Sequence, residues 1–200
     1  MKKGLSTLFA ILAGVVLALT VGSLGNGAKA DDDHVHCACG AVHKAAADIH
    51  HTVDDEDAAD YGIMLWEPAT ELPAPVEDGE DYVYLTEDIE LSALYIMAPG
   101  QTLYICLNGH TISYSSKLFN VTGNSDYSNG AHLVITDCQG TGSLVTTGSV
   151  AVTGALALVH FNSTLDLFAG TLKGGDTTGI GGAVGLYNGT FNMFGGKLEY

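Results

Sequence analysis

The chain has 200 residues with 23 acidic and 7 basic side chains, a formal charge of −16, and every basic residue is a lysine. Such a surface cannot neutralise a run of phosphates, which excludes a nucleic-acid partner. Apolar residues make up 46% of the chain, too many for a wholly disordered polypeptide, and the length fits one domain with a short appendage.

Met1–Ala30 reads as a secretory signal peptide. Lys2 and Lys3 open it, Leu5 to Leu24 is apolar, and Ala28 and Ala30 flank Lys29 as a small-x-small cleavage site before three aspartates. Thr20, Gly22, Ser23, Gly25, Asn26 and Gly27 interrupt the end of the apolar run, which argues against a retained anchor. The expectation is a protein exported to the medium or cell surface of a bacterium, with no membrane span after cleavage.

Residues 31–80 form an acidic, mostly irregular leader. Residues 31–90 hold 18 acids against Lys44 alone, whereas 91–200 hold five acids against Lys117, Lys173 and Lys197, so the composition breaks near residues 80–90. The leader concentrates His34, His36, Cys37, Cys39, His43, His50 and His51. Imidazole and thiolate are the groups zinc takes four at a time, and the acids around them raise local cation concentration. The expected metal is zinc, although Cys-x-Cys is tighter than the usual spacing of structural zinc sites. The competing reading is a solvated leader that captures metal only loosely. Calcium is less suited, because the acidic run Asp54 to Asp57 and the acids after it contain no Asp-x-Asp-x-Asp-Gly loop.

The body, 81–200, repeats itself. Residues 162–172 superpose on 188–198 at a period of 26: Leu165 meets Phe191, Leu167 meets Met193, Phe168 meets Phe194, Gly170 meets Gly196 and Leu172 meets Leu198. Weaker copies place Leu133 and Ile135, then Leu103 and Ile105, in the same apolar slots. Each copy is a short alternating run, a glycine turn and a second run, which is the pattern of strands. A unit this small cannot bury its apolar face alone but can do so stacked on its neighbours. The expectation is an all-β, parallel β-helix with Phe161 over Tyr187 and an amide column of Asn162 and Asn188. A β-sandwich of hairpins is the rival architecture. No polar terminal cap follows the last repeat, so the solenoid is expected to be truncated at its C-terminal end.

The run from Cys106 to Ile112 (CLNGHTI), the run from Leu133 to Cys138 (LVITDC) and the repeat from Gly189 to Leu198 (GTFNMFGGKL) carry a resemblance. So do His34 to Gly40 (HVHCACG), Trp66, Leu72-Pro73 and the run from Tyr82 to Leu91. Together they resemble a group of secreted bacterial surface proteins similar to right-handed parallel β-helices of the pectate-lyase-like superfold. That resemblance implies a multi-coil surface protein with no agreed activity.

Cys106 and Cys138 are a candidate disulfide pair in an exported chain; the alternative is two buried thiols packing as apolar groups. Catalysis is poorly provided for. Polyuronate lyases of this fold commonly use an arginine, and none is present. Asp137 and Asp166 fall three slots apart on neighbouring coils, roughly 11 Å, past the range of paired glycosidase carboxylates. His110, His132 and His160 are scattered singly, and Asn120, Asn162 and Asn188 read as turn residues despite their glycosylation pattern. The leading expectation is a surface or adhesion scaffold whose strand face binds an extracellular glycan or host polymer. The alternatives are a polysaccharide lyase or glycoside hydrolase with its catalytic coils beyond residue 200, and a metal-capturing surface protein.

Overall fold

A computed structural model of the chain describes residues 66–149, 156–175 and 181–199. These residues form strands joined by turns, with no helix among them. After β1 (Glu67–Ala69), one coil comprises β2 (Glu80–Leu85), β3 (Ile89–Glu90) and β4 (Tyr95–Ile96). The next comprises β5 (Thr102–Cys106), β6 (Thr111–Tyr114) and β7 (Phe119–Thr122), and the third β8 (His132–Thr136), β9 (Ser143–Thr146) and β10 (Ala157–His160). A fourth has β11 (Thr164–Leu167), β12 (Thr171–Lys173) and β13 (Val184–Tyr187), and β14 (Thr190–Met193) and β15 (Lys197–Glu199) follow.

Successive coils stack into three sheets. The first runs β1-β2-β5-β8-β11-β14, the second β3-β6-β9-β12-β15 and the third β4-β7-β10-β13. Every pairing among the described strands is parallel, which sets aside the sandwich of hairpins. The described residues form an all-β parallel solenoid. Its first sheet reaches back to Glu67, inside the stretch read from sequence as leader.

Strand alternation builds the core. Leu103, Leu133, Leu165 and Phe191 share one register position, and Ile105, Ile135, Leu167 and Met193 another. Ile112, Leu144, Leu172 and Leu198 form the matching column of the second sheet. Leu103, Leu133, Ile105, Ile135, Leu167, Ile112 and Leu172 are fully buried. Each such side chain contributes about 1.5–3 kcal/mol relative to exposure. Phe191 is half-buried and Met193 is 46% exposed, because β14 is paired on one side only. Phe168 and Phe194 stack outside, ring centroids 4.7 Å apart.

One expected column shifts. Tyr187 stacks over His160, not Phe161. Three residues join β10 to β11, whereas two join β13 to β14, and the extra residue slips the register at that corner. The Asn188 amide donates to Tyr127 Oη (3.2 Å) in place of a ladder with Asn162.

The corner between the first and second sheets is held by Asp137, only 2% exposed. Its Oδ1 accepts from Gly109 N of the coil below (2.8 Å) and its Oδ2 from Gly142 N (2.6 Å). Gly170 turns the same corner one coil on, with φ +92°. A Cβ there would stand 2.9 Å from Leu107 Cδ1, so both the backbone and the packing require glycine. At the other end of the stack Leu72 packs against the core, and Tyr95 Oη donates to Pro73 O at 2.7 Å.

Candidate functional site

On the first sheet the residues between the buried columns point outwards. Tyr82, Tyr104, Val134, Asp166 and Asn192 occupy one outward register position. Glu80, Thr102, His132, Thr164 and Thr190 occupy the one beside it. Stacking identical positions about 4.8 Å apart turns single side chains into a stripe.

The stripe begins aromatic. Tyr82 and Tyr104 lie face to face, centroids 4.2 Å apart and planes within 5°. Trp66 is 5.7 Å from Tyr82 and 6.2 Å from Tyr104, nearly perpendicular to both. Those near-equal distances put the indole beside the tyrosine pair, across their edges, not in line with the stack. Tyr82 Oη donates to Glu80 Oε1 at 2.7 Å. Burial, reinforced by that hydrogen bond, pushes the Tyr82 hydroxyl well above its ordinary range, so it remains a donor at any physiological pH.

Further along, the stripe becomes polar. His132 Nε2 meets Asp166 Oδ2 at 2.9 Å, and Asn192 Nδ2 donates to Asp166 Oδ1 at 2.8 Å. His132 and Asp166 keep 35% and 14% of their side-chain surface exposed, enough to be reached from solvent. Beside Tyr82 an open cleft of about 560 Å³ is lined by Glu67, Glu71, Glu80 and Asp81 with Pro68 and Pro73. A second, of about 430 Å³, lies on the other side of the 70–75 segment and includes Asp88 and Glu90. The surface around the aromatic group is therefore strongly negative.

The residues singled out in the sequence fall as follows. His34, His36, Cys37, Cys39, His43, His50 and His51 lie outside the described residues, as do the signal peptide and most of the leader. Among the described residues no group of three or more His, Cys, Asp or Glu could hold a metal ion. Cys106 Sγ and Cys138 Sγ approach to 3.4 Å. Asp137 is turned into the corner amides while Asp166 faces out, so the two carboxylates do not work together. His110 meets Asp88 at 3.5 Å, and His160 Nε2 donates to Asn120 Oδ1 at 2.9 Å.

Sequence reading missed the stripe, yet its signal was present. The residue after each apolar anchor, at 104, 134, 166 and 192, is the outward column. Tyr82 joins it once Asp81 is paired with Leu103. No helix among the described residues is long and apolar enough to cross a membrane. No family model, no curated protein and no solved structure matches the chain.

Proposed function

We propose that the chain is an exported bacterial scaffold, a right-handed β-helix of the pectate-lyase-like kind, whose first sheet binds a neutral extracellular glycan and so serves adhesion at the cell surface. The observation that carries this reading is the stripe from Trp66, Tyr82 and Tyr104 to His132, Asp166 and Asn192. A pyranose ring has an apolar C–H face and a rim of hydroxyls. Aromatic surface buries the first through the hydrophobic effect, and His, Asp and Asn pair with the second. The flat, regular face suits a chain of sugars lying along the coil axis, one residue of the polymer spanning more than one coil.

Charge selects among glycans. Glu67, Glu71, Glu80 and Asp81 beside the aromatic group, and Asp166 within the stripe, repel a polyuronate. The expected ligand is a neutral hexose or N-acetylhexosamine polymer.

The test is retention of the intact chain on immobilised polysaccharides. Retention on a neutral polymer and not on polygalacturonate is expected, with affinity reduced about tenfold by Tyr104→Ala, about 1.4 kcal/mol. Retention on polyuronate alone, or binding indifferent to Tyr104→Ala combined with Asp166→Ala, would overturn the proposal.

A further inference from the structure

Cys106 ends β5, and Cys138 lies just past β8, one coil on. By alternation with Leu103 and Ile105, Cys106 faces away from the core, and neither cysteine belongs to the apolar core cluster. Both are nonetheless closed to solvent, at 0% and 8% exposure. Their sulfurs stand 3.4 Å apart. A disulfide bond is about 2.05 Å long, so roughly 1.4 Å separates the pair from bonding distance. Rotation about the side-chain torsions is enough to cover such a gap.

The place of the pair matters as much as its spacing. It flanks the corner between the first and second sheets, which Asp137, the neighbour of Cys138, holds through Gly109 N and Gly142 N. Asn108, two residues past Cys106 and 4% exposed, extends the same seam over three coils. Its Nδ2 donates to Leu85 O (3.0 Å), and its Oδ1 accepts from Cys138 Sγ (3.2 Å) and Gln139 Nε2 (3.5 Å). All of these links are hydrogen bonds, which water replaces once a coil opens. A covalent link at the same seam persists in the opened chain. The cysteines lie 32 positions apart, a loop long enough for a cross-link to remove much of the freedom of the unfolded chain.

We propose that Cys106 and Cys138 close a disulfide that staples the second coil to the third at this corner. The bond forms by thiol–disulfide exchange with a low-molecular-weight disulfide such as oxidised glutathione. One cysteine thiolate attacks a sulfur of the carrier and releases one carrier thiol; the second cysteine then displaces the other. Two protons and two electrons pass from the cysteines to the carrier, whose S–S bond is exchanged for the Cys106–Cys138 bond and two carrier thiols. Cys138 gives up its hydrogen bond to Asn108 Oδ1, which Gln139 Nε2 still reaches. Hydrogen bonding to Cys106 and burial push the Cys138 thiol well above its ordinary range, so its thiolate is scarce in the folded stack. Closure therefore belongs to folding, before the corner is sealed, and the finished bond is shielded from reductants. The supply of oxidant outside the cell rests on the export reading; the capacity of the pair to close does not.

The experiment is refolding of the intact, reduced chain in a glutathione redox buffer, followed by alkylation, cleavage after lysine and mass spectrometry. Cleavage at Lys117 separates the two cysteines, and Cys37 and Cys39 fall in another fragment, which ends at Lys44. Fragments 45–117 and 118–173 are expected to be joined, and to part on reduction. The oxidised chain should unfold about 5 °C or more above the reduced chain, a gain that Cys106→Ala with Cys138→Ala abolishes. Alkyl groups on both cysteines after oxidising refolding would overturn the proposal. So would a joined chain that unfolds no higher than the reduced one, a comparison that holds even where the double variant fails to fold. A bond that forms on refolding but is absent from the chain taken from its native cells would support the pairing and count against the export reading.

Discussion

Asp137 shows how a single polar side chain closes a coil. Both of its carboxylate oxygens accept backbone amides, one from the coil below and one from its own turn, at a site almost closed to solvent. Asp137→Ala leaves the buried Gly142 amide and the partly buried Gly109 amide without their acceptor, the first costing about 1–3 kcal/mol and the second less, and should lower the denaturation midpoint accordingly. Asp137→Asn keeps one acceptor and should cost less; equal effects of the two would contradict this assignment. His160 adds a pH dependence. Burial, aided by the nearby Lys117 charge, lowers its pKa in the folded state. The unfolded chain therefore binds the extra proton first, near the ordinary histidine pKa of about 6.5. Stability from this group is fully present above that pH and is lost as pH falls below it towards the folded-state pKa. The midpoint of thermal unfolding should drop between pH 7.5 and 5.5, and His160→Gln should reduce that drop. An unchanged drop in the variant would assign the effect elsewhere.

The strands show what can be read from a sequence of this kind. The apolar slots at 103, 133, 165 and 191 were legible because stacking in parallel register demands the same chemistry at the same place in every coil. The corner at 161–163 was not, because a one-residue difference in loop length leaves no mark on the apolar pattern. Glu67–Ala69 was assigned to the leader because a three-residue strand containing Pro68 is too short and too polar to show alternation. The outward stripe was hidden for a related reason: Tyr104, Val134, Asp166 and Asn192 share a position but no common residue type. The thiols were marked as close from their offsets past the anchors, while their place outside the core needed the strand orientation. For the strands themselves, Leu133→Ala in the middle of its column should cost about 2–5 kcal/mol, measured by denaturant unfolding. A cost under 1 kcal/mol would mean that the column is not packed as described.

At the scale of the whole molecule, a stiff stack presents an acidic, partly aromatic face, and the first question is whether that face binds or cuts. The separated carboxylates argue for binding: Asp137 is committed to backbone amides and Asp166 to His132 and Asn192. The intact chain should release no reducing ends from polygalacturonate, and release that disappears with Asp166→Asn would reverse that conclusion. The proposed glycan binding can be tested directly, because Trp66 is the only tryptophan in the chain and stands beside Tyr82 and Tyr104. Its fluorescence should shift saturably on titration with a neutral oligosaccharide, remain unchanged with oligogalacturonate, and lose most of the response in Asp166→Ala. An emission spectrum unmoved by every neutral oligosaccharide, or moved by the uronate alone, would contradict the account.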